Sequence, residues 1–205
     1  MARDFGHIHT RIWEDPDFQR LDAPHQRLFL FLLTQRNLNH AGLLPITLRR
    51  WASKAPGLTT DQLRDQLAVL ADHRFVVIDE DAEELLVRTF LRNDNIWRQP
   101  NVMAAAVTAA GEITSLVLRR ALLTELDRLP VAELSDAPGK NGAPSVRGKV
   151  RGSIADLKRQ LGGDAPPPPG SGAQPHPAEG DAEGSPTPPQ APKPPTDPTR
   201  EPQPN

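Results

Sequence analysis

The chain has 205 residues, a formal net charge of −2 at pH 7 and no cysteine. The lack of cysteine excludes disulfides, thiolate metal sites and cysteine nucleophiles, and the near-neutral charge excludes a general basic field around the molecule. Because no stretch reaches the roughly 18 apolar residues of a membrane span and the N-terminus has no apolar run of signal-peptide length, we expect a cytoplasmic protein.

Two helices are predicted at the front of the chain. Asp15 followed by Pro16 is typical of a helix start, because aspartate caps the first turn and proline fits the first helical position. The second helix spans residues 24–35, where apolar residues recur at helical spacing and predict a core-facing stripe. These residues are Leu28, Phe29, Leu32 and Leu33.

A pair of helices joined by a tight turn follows. Residues 42–45 form a short extended piece that Pro45 limits to a sheet edge. Thr47 is expected to cap a helix over residues 48–55, which Pro56 and Gly57 end. The pattern T-x-x-Q at residues 59–62 is a capping box. It opens a helix to about residue 73, with a buried stripe at Leu63, Leu67 and Leu70.

The apolar period then changes from helix to strand. Residues 75–78 are β-branched and apolar and predict a strand, residues 85–90 predict a second strand, and the polar residues 79–84 between them complete a hairpin. After Pro100, two further helices are predicted, one over residues 101–110 and one from residue 114 or 115 to a point before Pro130. The fold class is therefore mainly α with a small β-hairpin.

This element order predicts a winged helix-turn-helix domain over residues 1–134, with the last two helices appended to it. In such domains the second helix of the pair enters the major groove. Cations are needed to hold phosphates, and fork-shaped side chains are needed to read base edges. We assign Arg49, Arg50 and Lys54 to the phosphates and Gln62, Arg64 and Gln66 to the bases of double-stranded DNA.

Acidic residues favour a second hypothesis. Asp61, Asp65 and Asp72 lie on the predicted reading helix, and residues 79–84 crowd the hairpin with carboxylates. They would repel phosphate, so the domain could instead be a protein-interaction adaptor that uses the acidic wing and the tail. A transcriptional regulator is a third alternative, because one fold serves several roles.

A family resemblance favours a role in replication. The run HAGLLPITLRRWASKA, the strand region ending LLVRTFLRNDNIWRQPNV, the helix SLVLRRALLTEL and the opening IWEDPDFQRL resemble actinobacterial and actinophage winged helix-turn-helix replication proteins of the replisome-organiser, DnaD-like type. The likeness covers roughly residues 3–161. It implies DNA binding in phage or mobile-element replication initiation, with a replisome or helicase partner; a homodimer is also compatible with it.

Residues 135–144 are predicted to be a linker and residues 145–161 a basic amphipathic helix. From residue 140 to 161 there are six cations against Asp156 alone. This helix either clamps phosphates or a partner through Arg147, Lys149 and Arg151, or it packs on the core, or it is a solvated linker. Residues 162–205 hold 15 of the 23 prolines and are predicted to form a disordered tail, because they have too little apolar surface to fold.

Other sites receive little support from the sequence. Histidines such as His7 and His9 lack metal-ligand spacing, so no metal site and no cofactor are expected. No P-loop, dinucleotide fingerprint or nucleophile elbow is present, and carboxylates on a solvated hairpin make poor acid–base catalysts, so we do not predict an enzyme. Stacking on single-stranded DNA is considered for Trp13, Trp51 and Trp97, although a core position suits Trp51 better.

Overall fold

The computed structural model describes residues 4–162 and shows a mainly helical chain with a small three-stranded antiparallel sheet. The predicted disordered tail, apart from Gly162, lies outside the described residues. The first elements are α1 (Pro16–Gln19), α2 (Ala23–Leu33), β1 (Leu43–Pro45), α3 (Leu48–Ala52), α4 (Thr60–Asp72), β2 (Val76–Asp79) and β3 (Glu84–Val87). They are followed by α5 (Phe90–Asn93), α6 (Pro100–Ala110), α7 (Leu116–Leu126) and α8 (Val146–Gln160).

The sheet has the order β1–β3–β2, so the predicted hairpin is extended by the edge strand β1. Leu44 faces Leu85 across the first pairing, and Val77 faces Leu86 across the second. Gly42 leads into β1 with φ +87°, and a Cβ there would lie 2.9 Å from the Cβ of Phe90. Only glycine meets both requirements. The chain can therefore enter the sheet directly beside α5.

Side-chain caps begin most of the longer helices. Thr59 and Gln62 form the predicted capping box of α4, and Ser115 caps α7. The prediction for Thr47 was wrong, because its side chain makes no capping hydrogen bond and α3 ends at Ala52, short of residue 55. The Ser53 hydroxyl donates to the Arg50 carbonyl at 2.9 Å at this end. A non-helical turn thus starts earlier than the apolar spacing indicates.

Two of the three tryptophans lie in the core. Trp51 packs edge-on against Phe31. The indole N–H of Trp97 donates to the Arg92 carbonyl at 3.3 Å, and the Arg98 guanidinium lies 4.6 Å from the centre of its ring. Both side chains are buried. The core position predicted for Trp51 is therefore confirmed, and the hypothesis that Trp97 stacks on single-stranded DNA was wrong, whereas Trp13 is exposed.

The basic helix α8 packs against α6. Val150 and Leu157 are fully buried, and the Ser145 hydroxyl accepts the Gly148 N–H at the helix start. Of the alternatives that the sequence left open for this segment, packing on the core is the one the structure has. Gly148 and Gly152, which weaken a helix because glycine has the most backbone freedom, are exposed on the outer side of α8, and a Cβ added at Gly152 would meet no atom within 4 Å.

The hairpin is fixed to the start of α7 by two of its carboxylates. Glu84 is buried and accepts the backbone N–H groups of Thr114 at 2.9 Å and Ser115 at 3.0 Å. Asp79 accepts the Ser115 hydroxyl at 2.5 Å. A negative charge at a helix N-terminus satisfies free N–H groups and complements the helix dipole. The expectation that these two acids lie on a solvated tip was wrong.

The other end of α7 is fixed by a buried carboxylate. Glu125 is 2% exposed, and its Oε1 accepts from Arg88 at 2.6 Å and from Arg128 at 2.7 Å. A third guanidinium, that of Arg92, lies 3.9 Å from Oε2. Arg88 directly follows β3 and also donates from Nε to the Arg74 carbonyl. Strand β3 and the residue that follows it therefore contact both the start and the end of α7.

Replacing Glu125 by leucine tests this anchor. We expect Glu125→Leu to lower the free energy of unfolding by about 1.5–3 kcal/mol, because it removes two charge-assisted hydrogen bonds and leaves the partly buried guanidinium of Arg88 without its counter-charge. Urea denaturation measures the change. As the control, Glu133→Gln breaks the half-exposed pair with Arg98 and should cost less than about 1 kcal/mol. If the two variants lowered the free energy of unfolding equally, Glu125 would not fix the end of α7.

Candidate nucleic-acid interface

Three cations predicted to contact phosphates lie together at α3. Arg49 and Arg50 are exposed on the helix, and Lys54 is exposed in the turn that follows it. Within residues 4–162 none of the three forms an ion pair. The Lys54 carbonyl accepts from the Arg27 guanidinium of α2 at 3.3 Å. Arg27, which sequence reasoning missed because only the fold brings it here, thus adds a fourth cation.

An open groove of about 1040 Å³ runs between α3, α4 and the hairpin. Arg49 and Arg50 line it from α3, and Arg64 lines it from α4. Asp72, Glu80 and Glu83 line the same groove. The structure therefore brings three of the predicted contact residues together, but it surrounds them with as many carboxylates.

Arg64 is held by acidic neighbours. Its Nη1 donates to the Asp61 carboxylate at 3.0 Å, one turn earlier on α4, and its Nε lies 3.9 Å from Glu80 on the hairpin. The side chain remains about half exposed. An exposed pair of this kind contributes little stability, so Arg64 can change partners. To contact a base it must first leave the side of Asp61.

Gln62 and Gln66 lie on the other side of α4. They line a second groove, of about 610 Å³, together with Arg27, Asp65 and Leu58. The side-chain amide oxygen of Gln62 accepts the Thr59 backbone N–H at 3.0 Å in the capping box. Only the side-chain NH₂ group of Gln62 is therefore left to donate to a base. The predicted base-reading set is therefore split between two grooves.

The outermost stripe of α4 is acidic. The helix buries Leu63, Leu67 and Leu70, and with 3.6 residues per turn the side chains opposite this stripe are the exposed Asp61, Asp65 and Asp72. If the outer side of α4 entered the major groove of a duplex, these three carboxylates would be the first groups to approach the DNA. The favourable approach is therefore from the α3 side, where the cations lie.

The hairpin contributes fewer free carboxylates than its sequence indicates. Glu80, Asp81 and Glu83 are exposed, whereas Glu84 and Asp79 are engaged with the start of α7. The Ser115 hydroxyl, and after it the backbone N–H of Ala82, lower the pKa of Asp79 below its ordinary value. The exposed carboxylates of Glu80, Asp81 and Glu83, all on the turn, are therefore the ones that a binding partner could contact.

The predicted cations of α8 have different surroundings. Arg147 donates to the carbonyls of Leu134 at 2.7 Å and Ala132 at 2.9 Å and to the Asp136 carboxylate at 3.0 Å, so its guanidinium fixes the preceding loop. Lys149 and Arg151 are exposed on the outer side of the helix. Lys149 and Arg151 line neither groove of the helix pair, so we leave all three residues out of the candidate interface.

Comparisons with family models, with curated proteins and with solved structures found no match to this chain. In residues 4–162 no helix is long and apolar enough to cross a membrane. The same part of the chain has no group of three or more histidines or acidic residues with the geometry of a metal site.

The link between Asp79 and Ser115 can be tested by titration. A carboxylate whose folded pKa is lowered stabilises the fold above its ordinary pKa of about 3.9, and this stability is lost as the pH falls through the folded value. We expect Ser115→Ala to raise the pKa of Asp79 in NMR titrations. Its destabilising effect should be largest above about pH 4 and should shrink toward about pH 2.

The control for this titration is Thr59→Ala, which also removes a helix cap but has a glutamine as its partner. We expect it to lower the free energy of unfolding by about 1 kcal/mol without a pH dependence in the same range. If the two variants showed parallel stability curves, the hydrogen bond between Ser115 and Asp79 would have no part in the acid response.

Proposed function

We propose that this protein binds double-stranded DNA as a winged helix-turn-helix domain, with α3 and the adjoining sides of α4 as its contact surface. The observation that carries the proposal is the cluster of Arg49, Arg50, Lys54 and Arg27, whose exposed cations form no ion pair within residues 4–162. Unpaired, closely spaced cations are what a phosphate backbone requires. The element order and the pairing of β1 with β3 agree with a winged helix.

The acidic stripe of α4 determines which side chains can contact phosphates and which can contact bases. Arg49 and Arg50 hold phosphates beside the first groove, and Lys54 and Arg27 hold phosphates beside the second groove, where the amide groups of Gln62 and Gln66 meet bases. Arg64 contributes only after it leaves Asp61. Binding from this side keeps the outer carboxylates of α4 away from the backbone, which reduces like-charge repulsion.

The place of this activity is proposed from the sequence resemblance. Likeness to replisome-organiser, DnaD-like proteins favours replication initiation of a phage or mobile element in the cytoplasm, with a transcriptional regulator as the alternative. The protein acts in either case as a binding protein and not as an enzyme. A helicase or another replisome component is the partner that the resemblance implies.

A specific observation favours a second candidate function, that of a protein-interaction adaptor. Six carboxylates are exposed on α4 and the hairpin turn, and three of them, Asp72, Glu80 and Glu83, line one groove; the other three are Asp61, Asp65 and Asp81. A partner protein with a basic surface would complement these carboxylates. The two functions are compatible if DNA and the partner use the α3 side and the acidic side respectively.

Removing the two arginines of α3 tests DNA binding. We expect the full chain with Arg49→Gln and Arg50→Gln to bind random duplex DNA roughly tenfold or more weakly at low salt, and the slope of log K against log salt to fall by about 2, because two phosphate contacts are lost. Fluorescence anisotropy at several salt concentrations measures both quantities. Lys149→Gln with Arg151→Gln removes the same charge from α8 and should leave both unchanged.

Neutralising the hairpin separates the two candidate functions. We expect Glu80→Gln, Asp81→Asn and Glu83→Gln together to strengthen duplex binding several-fold, because they remove three charges that repel phosphate and free Arg64 from one of its partners. Anisotropy titrations again give the result. Weaker duplex binding by this variant would contradict the proposed orientation, and loss of a basic protein partner without any effect on DNA would favour the adaptor.

A further inference from the structure

Three arginines meet at one buried carboxylate near the end of α7. The Oε1 atom of Glu125 accepts from Arg88 at 2.6 Å and from Arg128 at 2.7 Å, and the Nη2 atom of Arg92 lies 3.9 Å from Oε2. Three guanidiniums against one carboxylate leave an excess of two positive charges. The cluster therefore has more positive charge than its buried carboxylate neutralises.

Two of these guanidiniums have hydrogen-bond donors to spare. Arg88 donates from Nε to the Arg74 carbonyl and from Nη1 to Glu125, and its side chain is only 21% exposed. Arg128 donates only from Nη1, and Arg92 donates no side-chain hydrogen bond within residues 4–162. The side chains of Arg128 and Arg92 are 47% and 38% exposed. Because a guanidinium has five N–H donors, both can also donate to a ligand that arrives from solvent.

The neighbouring negative groups do not cancel this charge. Asp127, next to Arg128, is paired with Lys158 at 2.5 Å. Asp94, two residues after Arg92, lines a cavity beneath residues 7–15 that Arg92 does not line. The carbonyl groups at the end of α7 add about half a negative charge, which reduces the excess without removing it. A terminal phosphate group, with about 1.5–2 negative charges at pH 7, would neutralise what remains.

We propose that Arg92 and Arg128, positioned by Glu125, form a binding site for the terminal phosphate group of a small phosphorylated molecule. Both guanidiniums lie within 3.9 Å of the same carboxylate group, so one phosphate can contact the two, and the planar guanidinium fork matches phosphate oxygens. Neither arginine lines the grooves of the proposed DNA surface. The test therefore needs no DNA, and the site does not depend on the proposed function.

The experiment is an NMR titration of the full chain with methyl phosphate at about pH 7, where a phosphate monoester is mostly dianionic, and at constant ionic strength. The Nε–Hε signals of Arg92 and Arg128 report binding. We expect both to shift with saturation and with a Kd of about 0.3–3 mM, as suits a ligand of this size.

A second titration uses dimethyl phosphate, which has one charge fewer and resembles a phosphate of the DNA backbone. It should bind at least about fivefold more weakly. Equal or tighter binding of dimethyl phosphate would overturn the preference for a terminal phosphate. Shifts that do not saturate, or that chloride reproduces at the same ionic strength, would overturn the site itself.

Variants locate the site. Arg92→Gln and Arg128→Gln should each weaken methyl phosphate binding at least about fivefold, whereas Arg120→Gln, which removes the same charge from the exposed face of α7, should not change it. Arg49→Gln with Arg50→Gln should also leave it unchanged, which separates this site from the DNA surface. Because Arg128→Gln breaks an ion pair, its fold is checked by circular dichroism. If it does not fold, Arg92→Gln and Arg120→Gln decide the question, and equal effects of these two would contradict the site.

Discussion

The contact of β3 with both ends of α7 is the interaction on which the rest of the structure depends. Glu84 at the start of the strand binds the free N–H groups before α7, and Arg88 just after the strand binds the buried Glu125 near the end of that helix. A buried carboxylate is costly unless it is paired, so the helix has only one favourable position on the sheet. The hairpin cannot leave the appended helices without losing these hydrogen bonds and this ion pair.

This constraint also sets the electrostatics of the proposed DNA surface. Because α7 engages Glu84 and Asp79, the carboxylates of the hairpin that still face the groove are those of the turn, and one of them, Glu80, lies beside Arg64. The fixed hairpin thereby keeps negative charge next to α4. The cations of α3 line the same groove but form no ion pair among the described residues, which is why the α3 side is the favourable one for phosphate.

The regular elements could be predicted from the sequence because their signals are local. The T-x-x-Q capping box, the apolar stripe of α4 and the change of period at the hairpin each depend on residues within one or two turns, and the structure has all three. The ion pair of Arg64 with Asp61 is local as well, since the two residues are three apart on a helix. Its effect on Arg64 could have been anticipated.

The buried charges could not be predicted in the same way. Glu84 binds Thr114, 30 residues away, and Glu125 binds Arg88, 37 residues away, besides its neighbour Arg128. Trp97 stands in a run of polar residues, yet its ring is buried in the core and its N–H donates to the Arg92 carbonyl. Burial of these three side chains depends on distant parts of the fold, which neither hydrophobic period nor capping pattern reveals.

The same distinction applies to charge and function. A net charge of −2 describes the whole chain, whereas a duplex responds to charges within about a Debye length, roughly 8 Å at physiological salt. Arg49 and Arg50 lie next to one another on α3, and Asp72, Glu80 and Glu83 line the groove beside them, while Asp61 and Asp65 lie on the outer side of α4. A duplex held by the arginines would be repelled by these carboxylates, and this restricts it to one orientation before any base is contacted.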